Sequence, residues 1–156
     1  MPECESKVSL FKKCLVIGAV MVIALYFSAC GSAYLKTETV HFRCDSNFND
    51  GLILPVDVVY VTEGQTVEAV TEVSPDDWFD SPAREQWESK QSLSLKASEV
   101  RKTVKVQLEK PEDTIAFVVV ADYQSVGAEK SQSITFDAEN AEDEEDVFVT
   151  INGLLH

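Results

Sequence analysis

The sequence predicts a mainly β protein, a two-sheet antiparallel β-sandwich with a short helical insertion. Three observations predict it. Seven short apolar or alternating segments follow one another between Thr37 and Leu154, separated by clusters of Asn, Asp, Gly, Ser and Pro. One of them, Ile115 to Ala121, is apolar throughout, as a central strand covered on both faces must be. Helix punctuation is confined to about 66–90, so the βαβ rhythm of a parallel sheet is missing. With 156 residues, 45% of them hydrophobic, the chain is long enough for one domain with its own core.

Residues 1–29 read as a lipoprotein signal peptide. Lys7, Lys12 and Lys13 precede the uncharged run from Cys14 to Ala29. That run is shorter than the roughly 20 residues a bilayer span needs, and it fits a secretory apolar core. Small residues Ser28 and Ala29 then precede Cys30, close to a bacterial lipobox. The competing readings are an uncleaved signal anchor and a cleaved, unlipidated protein. On the lipobox reading, Cys30 carries a covalent diacylglycerol and an N-acyl chain such as palmitate, and no other cofactor is expected. Each buried CH2 contributes about 0.8 kcal/mol, so two or three chains hold a domain on a membrane. Residue 31 is Gly and not Asp, so in a Gram-negative cell nothing there resembles an inner-membrane retention signal, and the expected location is the outer membrane, on its periplasmic face. Residues 30–36 are then a lipidated tether and 37–156 the sandwich domain.

Thr37 to Asp45 alternates, with Val40, Phe42 and Cys44 inward and Thr39, His41 and Arg43 outward. Cys44 is the cysteine left over once Cys4, Cys14 and Cys30 are assigned, and its phase predicts a buried thiol. Ser46 to Gly51 is dense in turn formers, with Gly51 available for positive φ, and this loop is the first functional candidate. Pro55 to Thr62 is a second strand with Val56, Val58 and Tyr60 on one side. Val67, Val70 and Val73 recur every third residue and predict a short helix or an irregular connector. Ser74-Pro75 and Ser81-Pro82 are two helix starts, each with Ser at the N-cap and Pro at N1. They carry Trp78, Phe79 and Trp87, which either plug one end of the sandwich or form an exposed hot spot for a partner. Strands follow over 92–96, 100–108 and 115–121. A hairpin around Gly127 leads to Ser133–Phe136, and Val147 to Leu154 closes the chain.

Between these last two strands, Asp137 to Asp146 holds seven acids in ten residues. A block of that density predicts a solvated, mobile loop. Calcium and a basic partner are the alternatives, although the spaced acids and central Gly of an EF-hand loop are missing. The overall balance, 13 basic against 27 acidic residues and a net charge of -14, argues against nucleic acid, which requires clustered cations. No phosphate-binding loop, metal-spaced Cys/His pair or nucleophile elbow occurs, so no metal site is expected. Asp76, Asp77 and Asp80 stand where helix starts favour acids, and His41 has no orienting partner, so the chain does not read as an enzyme.

TETVHFRCD running into NFND, then LPVDVVYV, an insertion with DDWF, the pair LSLKASEVRKTVKVQL and the run TIAFVVVADY together resemble the TssJ family, the outer-membrane lipoproteins of type VI secretion systems. The resemblance spans Thr37 to Tyr123. The insertion departs from it in lacking the family's aspartate with two phenylalanines. What it implies is a transthyretin-like sandwich that acts as a docking or scaffold subunit. It would bind the periplasmic part of an inner-membrane subunit, TssM, through its first loop, where Asn47, Phe48 and Asn49 are the expected contacts. The alternative, from the residues alone, is a stand-alone periplasmic lipoprotein that takes a small ligand, ion or peptide at Trp78 and Trp87 or at the acidic block.

Overall fold

The computed structural model describes residues 33–45, 47–123 and 132–156. Among these residues eight strands are formed: β1 (Thr39–Cys44), β2 (Leu54–Thr62), β3 (Lys90–Leu95), β4 (Thr103–Gln107), β5 (Thr114–Ala121), β6 (Ser133–Asp137), β7 (Glu144–Thr150) and β8 (Gly153–Leu155). They make two four-stranded sheets, β4-β1-β7-β8 and β3-β2-β5-β6. The expected sandwich is present, with two differences. The last segment is a hairpin and not one strand, because Thr150 Oγ1 donates to Gly153 O and closes a turn at Ile151–Asn152. And β7 runs parallel to β1, the exception among otherwise antiparallel pairs. It arrives from the other sheet through residues 138–143, at the end where β1 begins, and so enters beside β1 in the same direction. The turn expected around Gly127 lies outside the described residues.

The two inner faces supply the main core. Val40, Phe42 and Cys44 of β1, with Val147 and Val149 of β7, face Val56, Val58 and Tyr60 of β2 and Phe117, Val119 and Ala121 of β5. The period-two reading of β1 therefore holds for its apolar residues, whereas Thr39, expected to face outward, is buried. Phe117 stacks on Phe136 with centroids 4.6 Å apart.

Both β2 and β5 are covered on their second face too. Val59, Val61, Ala116, Val118 and Val120 form a separate cluster with Val70 and Trp78. The cover is three short helices, α1 (Glu68–Thr71), α2 (Pro75–Asp80) and α3 (Pro82–Gln86). Ser74 and Ser81 cap α2 and α3 as expected, each accepting from the backbone N–H three residues on, Asp77 and Arg84. The helices lie across the outer face of the β2/β5 sheet and do not plug an end of the sandwich. The apolar length of β5 required such a cover; the sequence pattern did not say which surface would supply it.

A buried carboxylate fixes this layer. Asp57 of β2, fully buried, accepts from Arg84 Nε at 2.7 Å, Ser92 Oγ at 2.6 Å, Trp78 Nε1 at 3.0 Å and Arg84 Nη2 at 3.3 Å. Burial pushes the Asp57 carboxyl up, but the bonds from Arg84, Ser92 and Trp78 outweigh it and hold it below its ordinary 3.8. Trp87 donates to Tyr60 O at 3.0 Å and meets Trp78 edge to face at 6.4 Å.

Asp57→Asn turns an acceptor toward three donors into a group that must itself donate, and is expected to cost about 2–4 kcal/mol at neutral pH by urea denaturation. The native pKa lies below the unfolded one, so this stabilisation is full above the unfolded value and lost as pH falls through the native one. The gap between wild type and variant should be flat above about pH 5 and close toward pH 3. A gap that widens on acidification would contradict the assignment.

Candidate docking surface at the loop end

The sandwich has two ends of different character. At one, the chain enters from the N-terminal side: Leu35 N–H donates to Thr114 O at 2.8 Å and Glu38 N–H to Asp143 O at 2.9 Å. At the other, reached along the length of β1, lie the β1–β2 loop, the β3–β4 connection and the β7–β8 turn. Asp45 N–H donates to Val149 O at 2.9 Å, Cys44 N–H to Lys102 O at 3.0 Å and Arg101 N–H to Cys44 O at 2.9 Å, which ties these connections together.

The β1–β2 loop turns through three successive left-handed residues, Asn49 and Asp50 at φ 50° and Gly51 at φ 80°. Asn, Asp and Gly tolerate that region best, which is why this turn is written in those residues. Leu52 N–H donates to Asn49 O at 2.9 Å, and Asn49 Nδ2 donates to Ile53 O at 2.8 Å.

This geometry corrects two of the three expected contacts. Phe48 is 1% exposed and belongs to the core, and Asn49 is wholly buried as the strap of its own turn. The left-handed turn rotates Phe48 inward, so it is not a loop-tip anchor. Asn47 is exposed. The loop's exposed apolar residues are instead Leu52, at 49%, and Ile53, at 55%. A signal for them existed: Ile53 is out of phase with the inward series Leu54, Val56, Val58. Ile151, in the β7–β8 turn, adds a third exposed aliphatic side chain at this end.

The other candidates resolve differently. Trp78 is fully buried beneath the helices, so the hot-spot expectation fails for it. Trp87 is half-buried with its indole N–H used inside the fold. The acidic block is not a loose loop either. Asp137 ends β6 and accepts from Asn140. Glu144 to Asp146 begin β7, where Asp146 pairs with Arg43 at 2.8 Å and Glu144 with His41 at 3.2 Å and Lys105 at 3.5 Å. Glu145 is buried, accepting from Glu142 N–H, with His156 Nε2 3.0 Å away. The parallel register of β1 and β7 sets these acids beside the cations of β1, a pairing across more than a hundred residues that no local pattern announces. The outward His41 thus has a carboxylate neighbour. Among the described residues no group of three or more His, Cys, Asp or Glu is placed to hold a metal ion. Cys44 is buried, and burial, with the charge of Glu99, raises its thiol to about 11. Cys30 and the signal segment lie outside the described residues.

No protein-family model and no curated protein matches the chain. Solved structures do share its fold. Serratia marcescens Lip, a membrane bound component of the type VI secretion system, aligns with 15% identity and a TM-score of 0.54 over 75% of this chain and 93% of that one. A chain of a structure described as the type VI membrane complex aligns with 12% identity and a TM-score of 0.60, covering 78% of this chain and 97% of that one. TssJ1, the type VI lipoprotein of Pseudomonas aeruginosa, aligns with 10% identity and a TM-score of 0.54 over 77% and 94%. At these identities the likeness is one of fold.

Two stability measurements separate the loop's residues. Phe48→Ala removes a buried ring and is expected to cost about 3–5 kcal/mol, whereas Leu52→Asp and Ile53→Asp should each stay within about 0.5 kcal/mol of wild type. A loop substitution as costly as Phe48→Ala would place that residue in the core. Native Cys44 should resist alkylation at pH 7.5 and react at the rate of unfolding, because the raised pKa and burial both withhold the thiolate; fast labelling of the folded chain would show that the strand end opens.

Proposed function

We propose that this chain is a non-catalytic docking subunit of a type VI secretion membrane complex, of the TssJ kind. Cys30, acylated, anchors it in the outer membrane, and the sandwich presents its loop end to the periplasmic part of a TssM-like inner-membrane subunit. The observation that carries this reading is the pair Leu52 and Ile53, two aliphatic side chains about half exposed on a turn whose backbone is strapped from within. Exposed apolar residues on a rigid loop lose little conformational entropy when a partner covers them, which is what makes such residues effective anchors.

Position supports the same conclusion. β1 spans six residues, about 17–20 Å, and separates the end where the chain enters from the loop end. A membrane holding the N-terminal tether leaves the loops facing away from it. The fold likeness to a membrane bound component of that secretion system and to a chain of its membrane complex agrees with this arrangement.

The test is capture from the protein's own cells. A photo-cross-linking residue in place of Leu52 should yield a large inner-membrane protein by mass spectrometry, and the double substitution of Leu52→Asp with Ile53→Asp should reduce capture about tenfold or more while the melting temperature holds. Recovery of the chain alone after cross-linking would sink the secretion assignment. Cys30→Ala should move the protein from the outer-membrane fraction to the soluble periplasm; unchanged fractionation would rule out the lipid anchor.

A further inference from the structure

At the same end of the sandwich lies an open cavity of about 300 Å³. Its lining includes Arg101, Lys102 and Thr103 from the start of β4, Arg43 from β1, and Phe148 and Thr150 from β7. Three of these six are cations, in a chain whose net charge is -14. Arg43 is engaged by Asp146 and lies over the Phe148 ring, 5.8 Å from its centroid. Arg101 and Lys102 are exposed, and among the described residues neither is ion-paired. Asp45, the acid in the lining, has interactions of its own.

The backbone at this point is unusual. Arg101 adopts φ +60°, a left-handed conformation that an arginine takes at a cost and that glycine would take freely. Its N–H donates to Cys44 O, and the neighbouring Lys102 carbonyl accepts from Cys44 N–H, so the conformation is held by the end of β1. A charged side chain at a position that favours glycine points to use of the side chain.

We propose that this cavity binds an acidic, extended segment of the partner protein. Carboxylates of the segment meet Arg101 and Lys102, and an apolar side chain lies on the exposed part of Phe148, which is 42% exposed. Charge complementarity selects this occupant. The chain as a whole carries 27 acids against 13 bases and repels such a segment elsewhere, so the unpaired cations hold it at one place and in one register. Lipid headgroups are disfavoured because the chain enters from the opposite end, and two free cations are too few to track a nucleic-acid backbone. The inference rests on the docking reading, and names a second, polar contact for the same partner.

The test uses the full-length chain in nonionic detergent and two fluorescent decapeptides, one alternating Glu and Leu and the other Gln and Leu, read by anisotropy. The Glu peptide should bind about tenfold more tightly or better. The double substitution of Arg101→Gly with Lys102→Gln should abolish that preference while the melting temperature stays the same or rises, since Gly relieves the left-handed strain. Lys102→Gln alone should weaken the preference without touching the backbone. Equal binding of the two peptides, a preference that survives the double substitution, or displacement of the Glu peptide by sodium phosphate at an ionic strength where sodium chloride does not displace it would each overturn the proposal, the last by revealing a small-anion site. Cross-linking from position 52 separates this from the docking reading. If the double variant captures the inner-membrane partner as well as wild type, the cavity proposal falls and the docking reading stands; if wild type captures nothing, the docking reading falls and the peptide preference decides the cavity.

Discussion

The architecture depends on keeping both faces of β2 and β5 out of water. One face of each packs against the opposite sheet, as in any sandwich; the other would expose Val59, Val61, Val118 and Val120 unless something covered it. Three helical pieces of four to six residues are far too short to be stable alone. They persist because a carboxylate planted in the middle of β2 collects an indole N–H, a guanidinium and a serine hydroxyl from the segments that must lie over it. The charge is paired and fully hydrogen-bonded, which is the condition for tolerating it in a buried place. Asp57 thus gives a largely non-directional apolar cover a fixed registration.

Much of this was legible in the sequence, and where it was not, the reason is physical. Alternation placed Phe42, Val56 and Tyr60 correctly because the period of a strand is local. The Ser-Pro starts of the two mini-helices were legible because capping is satisfied within four residues. Asp57 escaped notice because its partners Trp78, Arg84 and Ser92 are 21 to 35 positions away. The acidic block was read correctly as solvated for most of its acids, but not as part of a strand: Glu144 to Asp146 belong to β7, whose parallel register with β1 sets Glu144 and Asp146 beside His41 and Arg43.

The β1–β2 loop shows both outcomes in a few residues. Its turn chemistry was plain, and the left-handed Asn49-Asp50-Gly51 run follows from it. What the residue types could not tell was the direction in which the turn rolls. It carries Phe48 inward to the core and leaves Leu52 and Ile53 outside, so the exposed apolar residues are the ones just after the turn. The largest aromatic side chain in a loop is an obvious anchor, yet here the same hydrophobicity is satisfied by the domain itself.

The placement of β1 between β4 and β7 has a mechanical consequence. The chain enters at the first residues of β1, and the loop end begins at its last. A pull between these two ends therefore runs along the axis of this strand, perpendicular to the hydrogen bonds that hold it on both sides. Such a load shears the two ladders as a whole and cannot peel them bond by bond. The geometry is that of a lap joint, which bears tension along its length far better than across it.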